Sequence, residues 1–211
     1  MTIAKLRTRV KICGMTDPHQ VSHAVDHGVD AIGMILHATS PRTIDVARAK
    51  QIRRVVPPMV SLVGVFVDCD TNVINQMIAE IGLDFVQLHG AESDADGQSL
   101  TRPYIKALRV QNRQHVVDQI KQFPTAAGIL LDPYVEGQHG GTGKLLDPNF
   151  WPSDSTQNLI LAGGLSGENV ADRILSLNPF AVDLNSGLEQ APGIKDPRLV
   201  AEAMRAIRAT Y

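Results

Sequence analysis

The 211-residue sequence predicts an α/β chain folded as a single-domain (β/α)8 barrel over residues 1–211, and three observations predict it. Eight short apolar runs punctuate the chain. Each is followed by a segment whose apolar residues recur at helical spacing. An even share of the length, about 26 residues per unit, suffices for a strand, a helix and two tight connections. Alternating strand and helix means a parallel sheet covered by helices, and eight such units close most naturally into a barrel, whose size range begins near 200 residues. A doubly wound open sheet is the alternative, because periodicity does not report closure.

The strands are expected over residues 10–13, 31–36, 60–67, 85–88, 105–110, 128–131, 159–161 and 181–184. Helices are expected to begin near Asp17, Asp45, Asn72, Ser93, Gln114, Asp147, Ser166 and Pro197, that near Asp147 being the weakest. Asp17-Pro18, Thr43-Ile44-Asp45 and Asp196-Pro197 carry start signals: a side-chain acceptor caps free amides, and proline fits the first turn. Pro57-Pro58 reads as a turn inside the array and not as a linker.

Composition narrows the function. Twenty Lys and Arg against 22 Asp and Glu give a net charge of -2, and no basic run offers a footprint for nucleic acid or an anionic membrane. No apolar run approaches the roughly 18 residues of a membrane span, and the three basic residues before Val10 have no apolar stretch behind them. Cys13 and Cys69 match neither a disulfide framework nor zinc-ligand spacing, so a reducing, cytoplasmic setting is expected. The reading leaves monomer and homodimer open.

Barrels of this kind build their chemistry where strands end on the carboxyl-terminal face. The residues there are Cys13, His37, Asp68, His89, Arg109, Asp132, Gly163-Gly164, and Asp183 with Asn185-Ser186-Gly187. The glycines after strands seven and eight let backbone amides approach an oxyanion closely, and Gly140-Gly141-Thr142-Gly143-Lys144 after strand six could close over the same group. That stretch is not a Walker A loop, since Gln138 and Leu145 occupy required Gly and Ser/Thr positions; Leu146 likewise breaks the Rossmann pattern. The bland reading of these glycines is tight turns.

Cys13 ends the first strand, where a cysteine is most often a small buried hydrophobe. Asp132 follows three apolar residues; partial desolvation would let it hold a proton, although a turn cap before Pro133 explains it equally. A thiol able to become thiolate and a carboxyl able to stay protonated make a general base and a general acid. An unperturbed thiol is only about 3% ionised at pH 7, so the site is expected to lower its pKa or to work with a small active fraction. Arg42 could hold a carboxylate through a bidentate fork. His19, His23 and His27 are spaced as metal ligands could be, but they fall on a helix outside the barrel.

The segments Lys11-Ile12-Cys13-Gly14-Met15-Thr16, Ser40-Pro41-Arg42, Val86-Gln87-Leu88-His89-Gly90, Leu131-Asp132 with Gly140-Gly141-Thr142-Gly143-Lys144, Ala162-Gly163-Gly164-Leu165, and Asp183-Leu184-Asn185-Ser186-Gly187-Leu188-Glu189 with Pro192-Gly193-Ile194-Lys195-Asp196 occur in order. In this they resemble the phosphoribosylanthranilate isomerase family, from the first strand to the last helix. The resemblance implies a (β/α)8 barrel that takes a small phosphosugar and performs an Amadori rearrangement in tryptophan biosynthesis without metal or cofactor. It implies Asp132 as general acid, Cys13 as general base, Arg42 facing the anthranilate carboxylate and Asp183 on the ribose hydroxyls. The phosphate would rest on Gly163, Gly164, Asn185, Ser186 and Gly187, with Gly141 and Gly143 nearby. The sequence departs from the family with Asn185 where serine is usual, with Leu36-His37-Ala38-Thr39 ahead of Ser40, and with Asn149-Phe150-Trp151 behind the glycine-rich loop. Alternative readings are the related histidine-pathway aminoaldose isomerase, against which Cys13 and the single late phosphate signature argue, a noncatalytic phosphosugar-binding barrel, and a metal-dependent epimerase.

Overall fold

The computed structural model describes residues 7–133 and 144–211. Eight strands, β1 (Arg9–Ile12), β2 (Ala31–His37), β3 (Ser61–Phe66), β4 (Phe85–Leu88), β5 (Tyr104–Val110), β6 (Gly128–Pro133), β7 (Leu159–Leu161) and β8 (Ala181–Leu184), pair in chain order. All eight pairings are parallel, and β1 pairs with β8 to close the barrel. Closure removes the open-sheet alternative. It also sets Lys11 opposite Asp183 across the seam, which fixes the chemistry of the mouth.

The strands are apolar on both sides because one face fills the barrel and the other lies under helices. Val10, Ile12, Ile32, Met34, Leu62, Phe66, Val86, Leu88 and Leu131 are among the buried residues. The helices are α1 (Pro18–Asp26), α2 (Val46–Arg53), α3 (Thr71–Ile81), α4 (Asp94–Gln98), α5 (Arg113–Ile120), α6 (Val170–Leu177) and α7 (Pro197–Arg208). Asp17, Asp45, Asp70, Ser93, Asn112 and Asp196 cap six of them, each side chain accepting from amides of the first turn.

Three details differ from the sequence reading. The helix expected near Ser166 begins at Val170, because Asn169 ties the preceding turn: its Oδ1 accepts from the Ser166 amide and its Nδ2 donates to the Gly164 carbonyl. The weak helix near Asp147 is a three-residue 3-10 turn, Pro148–Phe150, after which Trp151 buries itself in the core. After β8 the chain makes a 3-10 turn, Ser186–Leu188, and a small antiparallel hairpin, β9 (Glu189–Ala191) and β10 (Ile194–Lys195). His23 on α1 and His27 at its carboxyl-terminal cap contact backbone carbonyls of Pro197 and His23, consistent with a structural role outside the barrel. Cys69 joins the apolar core. No helix among the described residues is long and apolar enough to cross a membrane.

Candidate active site

A cavity of about 940 Å³ opens where the strands end, lined by Cys13, Arg42, Gln87, His89, Asp132, Gly163, Gly164, Asp183, Asn185, Ser186 and Gly187 among others. Of the strand-end residues singled out from the sequence, His37 and Asp68 also reach it, whereas Arg109 does not line it. Gly141 and Gly143 lie outside the described residues.

Cys13 follows β1 and its amide donates to the Leu184 carbonyl at 2.8 Å, which continues the β1–β8 seam into the mouth. Residues two apart on a strand share a face, so Lys11 and Cys13 project together. The Lys11 ammonium donates to Asp183 Oδ2 at 2.8 Å, and both side chains are almost fully buried. Burial pushes the Cys13 thiol up; the Lys11 and Lys195 cations oppose the rise and Asp183 adds to it. This corrects one arm of the sequence expectation: the resting site does not lower the thiol pKa, because loss of hydration outweighs the neighbouring cations. The other arm, a small active fraction, is the one this environment allows. Burial also raises the Asp183 carboxyl against the pull of Lys11. Asp183 Oδ1 has no hydrogen-bond partner among the described residues although it is buried, and such an acceptor at a cavity wall is ready for a ligand donor.

On the β4 side, the Gln87 amide nitrogen lies 2.9 Å from His89 Nδ1, and His89 Nε2 stands 3.8 Å from Asp132 Oδ2. Asp132 sits near the end of β6 at 9% exposure, and its charge is felt at Asp183. The acid and the thiol therefore open onto one cavity.

Arg42, from the loop after β2, is gripped by Glu189 of the hairpin through Nε at 2.9 Å and Nη2 at 2.7 Å. Lys195 donates to the same carboxylate at 2.8 Å and to the Asn185 carbonyl and Oδ1 at 3.0 and 2.8 Å. The hairpin thus fixes both the cation after β2 and the turn after β8. The Glu189 carboxyl is held below its ordinary pKa: burial alone would raise it, but Arg42 and Lys195 prevail. After β7, Gly163 holds φ at +85°, and a Cβ there would strike Pro133. At Gly187 a Cβ would stand 2.1 Å from the Leu165 carbonyl oxygen, so the turn after β8 approaches the loop after β7 this closely only because residue 187 is glycine.

Lys11, Gln87, Glu189 and Lys195 escaped assignment from sequence. For Lys11 a signal exists: a cation two positions before a candidate base, inside an apolar strand, must share its face. Glu189 and Lys195 gave none, since Glu189 meets Arg42 across 147 residues.

Together these features define an enzyme of the (β/α)8-barrel class with its site at the carboxyl-terminal mouth. The family model described as N-(5'-phosphoribosyl)anthranilate (PRA) isomerase matches residues 10–206. The chain belongs to that family, and is an isomerase of tryptophan biosynthesis. It is 44% identical over 200 residues to N-(5'-phosphoribosyl)anthranilate isomerase of Pseudomonas fluorescens strain Pf-5, covering 95% of each chain. The solved phosphoribosyl anthranilate isomerase of Thermus thermophilus superposes with a TM-score of 0.88 at 30% identity, over 97% of this chain and 100% of that one. A phosphoribosyl anthranilate isomerase structure holding reduced 1-(o-carboxyphenylamino)-1-deoxyribulose 5-phosphate superposes at 0.85 and 32% identity, over 96% of this chain and 99% of that one.

Proposed function

We propose that this chain converts N-(5'-phosphoribosyl)anthranilate into 1-(2-carboxyphenylamino)-1-deoxyribulose 5-phosphate with Asp132 as general acid and Cys13 as general base. The observation that carries these roles is the single cavity onto which the thiol, the carboxyl, the Arg42 side chain and two glycine-rich loops all open. Asp132 gives its proton to the ribose ring oxygen as the bond from C1' to that oxygen breaks and the nitrogen lone pair forms the iminium. The Cys13 thiolate takes the C2' proton, and the released pair becomes the C1'–C2' double bond of an enolamine. Loss of the C2' hydroxyl proton and return of a proton to C1' give the ketone. The proton Cys13 gained matches the one Asp132 gave, so exchange with water resets both.

The remaining groups orient the sugar. Asp183 Oδ1, buried and without a hydrogen-bond partner among the described residues, suits a ribose hydroxyl donor. Gly163, Gly164, Asn185, Ser186 and Gly187 line the wall where barrels of this class hold phosphate, the short 3-10 turn after β8 matching the usual extra helix. Arg42 would receive the anthranilate carboxylate on the guanidinium edge that Glu189 leaves open. Gly141 and Gly143 retain the role the resemblance gives them, near the phosphate. The whole chain serves as one catalytic barrel for a small phosphosugar, in a reducing cytoplasm that suits two free cysteines.

The test follows the fluorescence of freshly made phosphoribosylanthranilate. Wild-type protein should consume it, while Cys13→Ser and Asp132→Asn should each lose at least 100-fold in turnover, of order what removing a positioned acid or base costs. Near-normal turnover by either variant would overturn that residue's role.

A further inference from the structure

Among the described residues, the charged groups around the Cys13 thiol are held by partners, and one of them, Lys11, shares its packing space with the sulfur. Lys195 faces it from the hairpin, but its three protons go to the Asn185 carbonyl, Asn185 Oδ1 and Glu189 Oε1. Arg42 approaches from the loop after β2 with its guanidinium forked onto Glu189. Asp183 faces it from β8 as a like charge, and behind Asp183 stand His89 and Asp132. Lys11, two residues back on β1, stands beside the thiol as an opposing charge and donates to Asp183 Oδ2 at 2.8 Å.

Packing sets the ammonium and the sulfur side by side. A Cβ on Gly33 of β2 would stand 2.8 Å from Cys13 Sγ and 3.0 Å from Lys11 Cε and Nζ, so the ammonium and the sulfur fill the space above that glycine. A lysine head at 4% exposure inside a barrel is costly to bury unless paired. Asp183 supplies the hydrogen-bonded partner, and the sulfur lies beside the same ammonium over Gly33.

We propose that Lys11 is the positioning residue of the Cys13 base: its ammonium, anchored on Asp183, aims the sulfur at the cavity and holds the negative charge of the thiolate. This rests on the reading of Cys13 as the base. When the sulfur ionises, the ammonium already stands beside it, so the charge forms without solvent reorganisation. When Cys13 takes the C2' proton, Lys11 relaxes onto Asp183 and the pair is neutral again. Lys11 gives and takes no proton from substrate.

The test measures alkylation of Cys13 by iodoacetamide against pH, with peptide-resolved mass spectrometry separating it from Cys69. Turnover does not enter the readout, so the outcome is independent of whether Cys13 proves to be the base, which Cys13→Ser decides. Lys11→Met should raise the pH midpoint of Cys13 alkylation by at least one unit, making the reaction about tenfold slower at neutral pH. Lys11→Arg should restore at least half of that shift. Asp183→Asn, which removes the like charge and frees the ammonium for sulfur, should move the midpoint the opposite way, downward. That variant keeps the inference falsifiable if Lys11→Met does not fold. An unchanged midpoint in folded Lys11→Met, or an unchanged or raised one in Asp183→Asn, would overturn the proposal.

Discussion

Glu189 accepts hydrogen bonds from Arg42 and Lys195 with only 5% of its side chain exposed, and those two cations decide its charge. Because its folded pKa lies below the unfolded value near 4.3, the ionised carboxylate contributes stability that is fully present above that value and is lost as pH falls through the folded one. Glu189→Gln keeps the shape and part of the hydrogen bonding but removes the charge, so it should cost about 1–3 kcal/mol at neutral pH. Melting curves from pH 7 down to pH 3 should show the wild-type advantage at its largest near neutrality and shrinking below about pH 4. A gap that widened in acid would contradict the assignment. The side chains readable from sequence at this scale were those ending an apolar run, Cys13, Asp132 and Asp183, because a polar residue there has few places to go but the rim. Arg42 was readable as a cation near the rim, but its grip by Glu189 was not. Lys11 and Gln87 lie inside apolar runs, where periodicity registers a strand and overlooks the exception.

Seven of the eight expected helical segments hold an α-helix, and their starts were legible wherever a capping side chain marks the first turn. The hairpin of β9 and β10 was not legible, since strands of three and two residues are too short to show alternation. Its position matters more than its size, for it carries Glu189 and Lys195 to the mouth. Spacing between strands is equally hidden in sequence. Gly33 sits mid-strand in β2, where glycine ordinarily weakens a sheet, and its justification is the sulfur and ammonium that lie against it. Gly33→Ala should leave the fold intact by circular dichroism while displacing Cys13, with a loss of turnover near 100-fold, as expected for an angstrom-scale misplacement of a reacting group. Unimpaired turnover would mean that the thiol has room to yield.

Lys11 and Asp183 stand 172 residues apart in sequence and meet only because β8 returns to β1. The site is thus a property of the closed barrel, and a ligand that bridges its two halves must stabilise closure itself. Reduced 1-(o-carboxyphenylamino)-1-deoxyribulose 5-phosphate, which one solved relative holds, offers an unreactive probe carrying both the phosphate and the carboxylate. At 100 times its dissociation constant such a ligand contributes about 2.7 kcal/mol to the folded state, which for a chain of this size raises the melting temperature by roughly 5–10 °C. Trp151, the single tryptophan, is buried and reports unfolding by its own fluorescence. Scans at increasing probe concentration should move the Trp151 transition upward with the logarithm of free ligand, and inorganic phosphate alone should move it less, since it engages only the glycine wall. Equal shifts from phosphate and probe would mean that Arg42 and Asp183 contribute nothing to holding the sugar and ring. No shift from either would mean that neither ligand binds the folded chain, against the reading of this cavity as the site.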